Sequence, residues 1–390
     1  MDVSSLKDIR KKSDKVSMQS MISFWKREKA ESILIEFGAE SDATLEAVQT
    51  TGKVSEDISP LYENIPKMLE DFEKSIKYLN SSKEMLLADD GVRIPIAWPE
   101  LQFGNGMGGA IFGGKVKNIS TVDHTYTFNE PVIKDWSQIE DLEFDMNNYW
   151  VLKILECLRF FRDNAKEEFL IRPFFIYEGA DFLVSMRGTT QAFYDLADRP
   201  EELFKLYEIG RKAGINFFEM KREIIKEHNE KILCNKEYSD MAPLHSVPML
   251  DMDAYALCSP DVFKKIGFEN KQKILDHFGG GSFYIHALGR GIIPIAADLE
   301  NLTELWLFDD PKCPRYFDSR MSWRKTTHDI PLQLYCGIKE FLKALDDRSL
   351  PGGIKYNIFT EGSNLSIEEK SSIIDKVKKY RTSKYKAKPK

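Results

Sequence analysis

An α/β fold closed into a (β/α)8 barrel is what this sequence of 390 residues predicts. Two observations lead to it: eight short apolar runs follow one another along the chain, and amphipathic stretches with helical spacing separate them. Strands that alternate with helices form a mostly parallel sheet, and eight such units close naturally into a barrel. An open doubly wound sheet is the alternative, but it needs a glycine-rich first turn between strand and helix.

The apolar runs are predicted to be strands because they are rich in β-branched and aromatic residues and end at turn residues or charges. They are Ile33–Phe37, Ile94–Trp98, Phe169–Tyr177, Val247–Leu257, Phe283–Leu288, Leu305–Phe308, Leu332–Cys336 and Ile354–Phe359.

Apolar residues three and four positions apart predict helices between these strands. The helical segments are Leu61–Leu79, Trp150–Ala165, Pro200–His228, Ser259–His277 and a last helix that begins at Ser366. Ser259 followed by Pro260 predicts an N-cap and a first turn, and Gly279 predicts where that helix stops. Ser366 with Glu369 predicts a capping box.

We expect a single barrel domain over residues 1–390 with three additions. Residues 1–30 form a helical N-terminal extension, residues 104–145 an inserted loop, and residues 381–390 a basic tail. The glycines from Gly104 to Gly109 lack the following helix that a phosphate cradle needs, so we interpret them as a flexible loop over the barrel mouth. The rest of the insertion is either a lid or a β-hairpin, and both remain open.

Composition excludes several classes of function. The net charge is −7, and without a basic excess we expect no nucleic-acid partner. The five cysteines are scattered, which argues against a disulfide scaffold and a structural zinc knuckle. A polar start and the lack of an 18-residue apolar run predict a cytoplasmic protein without a membrane span. The tail from Lys376 to Lys390 is expected to be solvated, with a weak contact to acidic partners as the alternative.

Reactive groups in a barrel lie at the carboxyl ends of the strands, and this rule gives the candidate site residues. The candidates for chemistry are His286, Asp253 and Asp181, and those for substrate binding are Arg187, Arg290, Tyr177 and Trp98. Further acids that follow predicted strands are Glu178, Asp251, Asp309 and Asp310, the last two being a weaker indication because adjacent acids often only mark a turn.

His286 and Asp253 carry the strongest indications of chemistry. His286 lies within an apolar run and must find a partner, either as a satisfied core histidine or as an acid, base or ligand at the barrel mouth. Asp253 follows Asp251 by two positions, so both carboxylates point to the same face of a strand. Such a pair raises one pKa and suits proton transfer, and a helix cap or an ion pair with arginine is the alternative.

Several segments also share a pattern with a known family. They are Asp181-Phe182-Leu183 with Met186-Arg187-Gly188, Tyr194-Asp195-Leu196, Arg199-Pro200-Glu201, Asp253 with Ser259-Pro260-Asp261-Val262-Phe263, and Tyr284-Ile285-His286-Ala287-Leu288-Gly289. Together they resemble the middle of the uroporphyrinogen decarboxylase superfamily, from about Ile94 to Lys379. The resemblance implies a barrel cleft that handles a small anionic molecule, with Arg187 and Arg290 as its anion partners.

The chain departs from both well-known branches of that superfamily. Its decarboxylases carry an N-terminal Arg-Pro-x-Trp segment and a late Gly-His-Gly signature, and neither is present here. Its cobamide-dependent methyltransferases bind zinc through His-x-Cys and a late cysteine. Here His286 matches the histidine, Leu288 stands at the cysteine position, and Glu361 lies near the late one. Because leucine cannot ligate a metal, no metal site is expected, and His286 with Glu361 is the alternative ligand set.

The resemblance and the strand-end residues support three hypotheses. The first is a decarboxylase-like lyase without a cofactor, in which Asp253 or Asp181 stabilises a cationic intermediate and His286 acts as acid or base. The second is a corrinoid-linked methyltransferase with an atypical zinc site and a corrinoid protein as partner. The third is a barrel that binds a ligand without turnover. A small-molecule substrate and a second copy of the chain, as a homodimer, are the other expected partners.

Overall fold

The computed structural model describes residues 24–27, 33–37, 54–55, 96–97, 106–120, 125–164, 170–171, 175–233, 247–359 and 365–384. The predicted helix Leu61–Leu79 and most of the N-terminal extension lie outside these ranges. So do Trp98 and Glu361 among the predicted site residues.

A parallel sheet of seven strands is the centre of the fold. Its strands are β1 (Ile33–Phe37), β7 (Phe175–Ile176), β8 (Met249–Asp251), β9 (Gly281–His286), β10 (Leu302–Phe308), β11 (Leu332–Gly337) and β12 (Ile354–Phe359). Their order across the sheet is β1-β12-β11-β10-β9-β8-β7, and every neighbouring pair is parallel. A further parallel pair joins β3 (Ile96–Ala97) to β6 (Leu170–Ile171).

The predicted alternation of strands and helices is confirmed, since each of the eight apolar runs contains a strand. Among the described residues the pair β3–β6 is separate from the seven-stranded sheet, which ends at β1 on one side and at β7 on the other. No pairing of β1 with β3 occurs among the described residues, so the structure shows a parallel α/β sheet and the closed barrel stays a prediction.

Helices connect the strands, as the spacing of apolar residues predicts. The α-helices are Gly106–Ala110, Tyr149–Asn164, Gly179–Arg187, Thr189–Asp198, Pro200–Leu233, Asp253–Ala256, Pro260–Val262, Phe268–Phe278, Ile293–Ala296, Arg320–Thr326, Ile338–Asp346 and Ile367–Lys384. Phe263–Gly267 is a π-helical segment, and Trp136–Asp141, Ala287–Ile292 and Phe317–Ser319 are 3-10 turns. Among the described residues no helix is long and apolar enough to cross a membrane.

The predicted helix ends are confirmed at three places. The side chain of Ser259 accepts a hydrogen bond from the backbone of Asp261, which satisfies one free N–H of the first turn. Gly279 ends the helix in the left-handed conformation with φ 66°, which glycine adopts without strain. Ser366 and Glu369 exchange the two hydrogen bonds of a capping box. The last helix continues through Lys384, into the predicted tail.

The two faces of the sheet differ in what they bury. Alternate residues such as Phe283, Ile285, Leu305 and Leu307 are fully buried in the main hydrophobic core. The residues between them form what we call the open face, whose half-buried members on the central strands are Tyr284, His286, Trp306, Phe308, Tyr335 and Asn357. Polar and aromatic side chains therefore cover the face of the sheet opposite to the core.

The amino end of the open face is filled by a buried polar network. Glu304 accepts hydrogen bonds from Ser282, from Gln333 and from the indole N–H of Trp25, at 3.0, 2.8 and 2.8 Å. Trp25 belongs to the predicted N-terminal extension, and Arg27 beside it donates to the backbone carbonyl of Leu302 at 2.5 Å. Protein side chains therefore occupy this end of the open face in the described part of the chain.

The insertion contains a β-hairpin, which is one of the two alternatives, lid or hairpin, that the sequence leaves open. Strands β4 (Val116–Ser120) and β5 (Thr125–Asn129) pair antiparallel, and the short strand β2 (Val54–Ser55) pairs with β4. Asn129 ties the hairpin to the helix Gly179–Arg187: its amide donates to the Ser185 carbonyl at 2.7 Å, and it accepts from the Ser185 hydroxyl at 2.6 Å.

The interpretation of the first glycines as a flexible loop is wrong for residues 106–109. Gly106–Ala110 is a helix whose five residues are all buried. A Cβ at Gly109 would lie 2.0 Å from the side-chain nitrogen of Asn129, and one at Gly108 would lie 3.2 Å from the Phe182 ring. The glycines allow close packing of this helix against its neighbours, which sequence alone does not distinguish from loop flexibility.

Replacing Asn129 with alanine should therefore loosen the insertion. The substitution leaves the buried Ser185 hydroxyl without one of its partners, so we expect a loss of about 1–3 kcal/mol in the free energy of unfolding. Urea denaturation measures this loss. Asn147→Ala, at an exposed position two residues after the insertion, is the control and should change stability by less than about 0.5 kcal/mol. Equal effects of the two substitutions would contradict the anchoring role.

Candidate functional site

Polar side chains from neighbouring strand ends converge at the carboxyl edge of the sheet. His286 is the last residue of β9, Asp251 is the last residue of β8, and Asp310 follows β10 by two positions. Asp253 starts the short helix after β8, and Asp181 lies in the first turn of the helix after β7. These five residues, which we call the acid cluster, come together because parallel strands all end at the same edge.

His286 is held between two carboxylates. Its Nδ1 lies 2.6 Å from Oδ1 of Asp310, a hydrogen bond that orients the ring. Its Nε2 lies 3.7 Å from Oδ1 of Asp253. The backbone carbonyl of His286 accepts a hydrogen bond from the Tyr316 hydroxyl at 3.0 Å, which fixes the strand end. With Nδ1 bonded to Asp310, Nε2 is the ring nitrogen that faces Asp253 and can exchange a proton there.

Asp253 reaches the cluster by a different route from the one predicted. The strand ends at Asp251, and Asp253 begins a helical turn instead of continuing the strand, so the predicted shared strand face is wrong. The turn forms because the Asp251 carboxylate accepts a hydrogen bond from the backbone N–H of Asp253 at 3.1 Å. The two carboxyl groups still interact, now through the turn.

The environment of Asp253 favours its protonated form. Burial, together with the charge of Asp251, raises the pKa of Asp253 to about 7, and the nearby His286 partly opposes the rise. Although 38% of the side chain is exposed, its Oδ1 is buried and has no hydrogen-bond partner in the described part of the chain. A carboxyl group that titrates near neutral pH can donate or accept a proton under ordinary conditions.

Asp181 lies deeper than Asp253 and is only 6% exposed. Its Oδ1 accepts a hydrogen bond from the backbone N–H of Ala254 at 2.9 Å, whereas its buried Oδ2 has no partner among the described residues. Burial raises the pKa of Asp181 well above its usual range, and the charges of Asp251 and Asp253 raise it further. This carboxyl group therefore either stays protonated or requires a positive charge beside it.

A buried ion pair supports the cluster from beneath. Lys271 and Glu178 pair with their side chains fully buried, and Asn270 donates to the same carboxylate at 2.6 Å. Lys271 also donates to the backbone carbonyl of Asp251 at 2.5 Å, which holds the end of β8. Burial still raises the pKa of Glu178 above its ordinary value despite the lysine. The positive charge nearest to Asp251 is thus already engaged.

Arg187, predicted to bind substrate, is engaged with protein groups. Its guanidinium donates to Asp195 at 2.7 Å and to the backbone carbonyl of Ile133 at 3.0 Å, and it lies 4.7 Å from the centre of the Trp136 ring. It stands six residues after Asp181 on the same helix, which is about 9 Å along the helix axis. These contacts join the insertion to the helix, and the structure does not bring Arg187 into the acid cluster.

The other predicted binding residues contact protein groups or lie outside the described residues. Arg290 donates to the backbone carbonyls of Ala287 and Pro314 and lies over the Tyr316 ring. Tyr177 is half-buried against a second small hydrophobic core. Trp98 lies outside the described residues.

The described residues do not fit a zinc-thiolate centre. Among them, no group of three or more His, Cys, Asp or Glu side chains is arranged to hold a metal ion. The cysteine nearest in sequence to Asp253 is Cys258, and burial with the charge of Asp181 raises the pKa of its thiol, which opposes the thiolate that a metal needs. The alternative set of His286 and Glu361 stays a prediction, because Glu361 lies outside the described residues.

Comparison with known proteins gives a likeness in fold. No protein-family model matches the sequence, and no curated protein matches it. Among solved structures, a methyltransferase from Methanosarcina mazei is similar over 92% of this chain and 97% of its own, with a TM-score of 0.54 and 12% identity. At this identity the likeness shows a shared fold alone. Membership of the uroporphyrinogen decarboxylase superfamily therefore stays a prediction.

Sequence reasoning underrated Asp310 and missed Lys271. Asp309 and Asp310 have separate roles: Asp309 accepts from the backbone of Tyr316 and pairs with Arg315, while Asp310 orients His286. Lys271 could have been noticed in the sequence, because it lies three and four positions before the apolar residues Ile274 and Leu275 and so shares a helix face with them. In the structure all three side chains are fully buried. A lysine at an apolar position indicates a buried partner.

Removing the lysine alone should destabilise the protein more than removing both charges of the buried pair. Lys271→Met leaves Glu178 buried without a cation, so we expect a loss of about 3–5 kcal/mol in the free energy of unfolding. The double variant Lys271→Met with Glu178→Gln should recover much of that loss, as urea denaturation at neutral pH would show. A single variant within about 1 kcal/mol of the wild type would contradict this role.

Proposed function

We propose that this chain is a methyltransferase in which His286, Asp310 and Asp253 move the proton that accompanies methyl transfer. The observation that carries the proposal is the placement of His286 between two carboxylates, one of them titrating near neutral pH, at the carboxyl edge of a parallel sheet. The fold shared with the Methanosarcina mazei methyltransferase supports the choice of methyl transfer among reactions that need such a proton relay.

His286, Asp310 and Asp253 would act on the methyl donor, at the atom from which the methyl group leaves. As the bond between the donor atom and the methyl carbon breaks, its electron pair stays on the donor atom, and the methyl carbon bonds to a nucleophilic acceptor. The donor atom becomes more basic and takes up one proton, which the protonated Asp253 or the Nε2 side of His286 can supply. Asp310 keeps the ring in place through its hydrogen bond with Nδ1.

The methyl acceptor is a second substrate, and it must be a nucleophile that can form a bond to the methyl carbon. A partner protein carrying a reduced corrinoid, as the resemblance implies, would supply such a nucleophile. The donor leaves the site as its demethylated, protonated form, and the proton is then replaced from solvent through the exposed part of His286.

The described site gives the other two hypotheses less support. A lyase acting on a carboxylated substrate needs cationic partners, but Arg187 and Arg290 donate to protein atoms, and the cluster itself is acidic. A barrel that only binds would not need a carboxyl group with a pKa near 7 beside a histidine. Both hypotheses remain predictions that turnover measurements can separate from methyl transfer.

An assay with free reduced cobalamin as acceptor tests the proposal. The full-length protein is offered O-methyl, S-methyl and N-methyl donors, and methylated cobalamin is followed by absorbance and mass spectrometry. We expect transfer from at least one donor class, and His286→Ala should lower the rate on the order of 10²–10⁴-fold, the usual contribution of an acid–base group. Above pH 7 the rate should fall as Asp253 loses its proton, and Asp253→Asn should remove this dependence.

A matched histidine provides the control. His277 lies on the helix before β9, at the opposite end of that strand from His286, and 45% of its side chain is exposed. His277→Ala should keep the wild-type rate. Transfer from none of the donors, or equal rates for the two histidine variants, would contradict the proposal.

A further inference from the structure

A row of aromatic rings extends from the acid cluster across the open face of the sheet. Phe308 lies 6.2 Å from His286 and 4.1 Å from Tyr284, measured between ring centres. Tyr335 continues the row at 4.6 Å from Phe308, and Phe359 stacks on Tyr335 at 5.6 Å. These rings come from four consecutive strands, β9 to β12, and each is only partly buried. The rings pack partly against one another, and the exposed part of each ring is available to a ligand on the open face.

Unpaired carboxylate oxygens lie at one end of this row. Buried oxygens of Asp181, Asp253 and Asp310 have no hydrogen-bond partner among the described residues. Asp181 is the deepest, more than nine-tenths buried, and it interacts electrostatically with Asp251 and Asp253, so it belongs to the same cluster. Buried polar groups in folded proteins are nearly always partnered, and the partner missing from three carboxyl groups at once is a hydrogen-bond donor or a cation.

The described basic side chains around the cluster are already engaged. Lys271 pairs with Glu178, Lys355 pairs with Glu36 on the open face, and Arg315 pairs with Asp309 and Glu340. Arg290 donates to backbone carbonyls. Within the described part of the chain, Lys271 acts on Asp181 from its pair with Glu178, and His286 is the further group beside the carboxyl groups that can carry a positive charge, so acidic side chains predominate in the site.

We propose that this site binds a compact organic cation of the alkylammonium class, whose positive charge lies by the acid cluster and whose alkyl groups contact Phe308 and Tyr335. Aromatic faces attract cations that carry little water, and carboxylates neutralise the charge without displacing the rings. The identification of this cation as the methyl donor rests on the proposed function. A quaternary ammonium that gives up a methyl group leaves a tertiary amine, and this amine takes up one proton, as the proposed relay requires. An anionic substrate, as the resemblance implies, is not favoured by these charges.

Calorimetric titration of the full-length protein tests the inference with three probes of similar size. Choline is the cation, 3,3-dimethylbutan-1-ol is its uncharged counterpart, and 3,3-dimethylbutanoate is the anion. We expect choline to bind at least about tenfold more tightly than either of the others, a difference that a cation–aromatic site with nearby carboxylates readily provides. Equal or weaker binding of choline, or no binding of any probe, would overturn the inference.

Two variants separate the role of the rings from that of the charges. Phe308→Leu keeps an apolar side chain of similar bulk but removes the aromatic face, so it should weaken choline by about tenfold and leave the uncharged probe unchanged. Asp253→Asn should reduce the preference for choline over the uncharged probe. Phe204→Leu, at an exposed position on the helix Pro200–Leu233, is the control and should alter neither. A Phe308→Leu variant that keeps wild-type affinity for choline would contradict the proposal.

The calorimetric titration and the methyl-transfer assay can fail independently of each other. Selective choline binding without methyl transfer to cobalamin would support the cation site and contradict the proposed function. Methyl transfer from ethers or thioethers, with no preference for choline, would support the function and overturn the cation site.

Discussion

Carboxyl groups buried together at the carboxyl edge of the parallel sheet are the constraint on which the rest of the site depends. Parallel strands bring their ends to one edge, so acids that follow different strands must meet there. Coulomb repulsion and loss of hydration then raise the pKa values of Asp181 and Asp253, the latter to about 7. The protein meets this cost only in part, with His286 beside the cluster and the Lys271–Glu178 pair beneath it.

The open face of the sheet differs between its two ends. The network of Glu304, Ser282, Gln333 and Trp25 occupies the amino end, and the aromatic row extends across this face from the acid cluster at the carboxyl end. Under the two proposals, proton transfer and cation binding would use one set of side chains, because unpaired carboxyl groups suit both a proton relay and a cation. The helix Gly179–Arg187 couples the insertion to this region, with Asp181 near one end and Arg187 near the other.

Much of the fold could be predicted because it depends on local patterns. Strand runs, helix spacing and caps such as Ser259 and Gly279 involve residues close in sequence. The site was predictable to the extent that strand ends determine it, which places His286, Asp253 and Asp181 together. The turn after Asp251 is local, but Asp251 and Asp253 belong to an apolar run whose pattern equally fits a continued strand. The burial of Gly106–Ala110 and the pairing of Arg187 with Asp195 depend on packing between separate elements, which composition does not reveal.

Direct titration of the Asp253 carboxyl group tests the central claim most closely. Carbon-13 NMR of uniformly labelled protein, with the Asp253 resonance assigned through Asp253→Asn, gives its protonation as a function of pH. We predict an apparent pKa of about 7, since the group is desolvated and lies beside Asp251. A value near 4, the ordinary range of a solvated aspartate, would contradict the assignment of Asp253 as a proton donor at neutral pH.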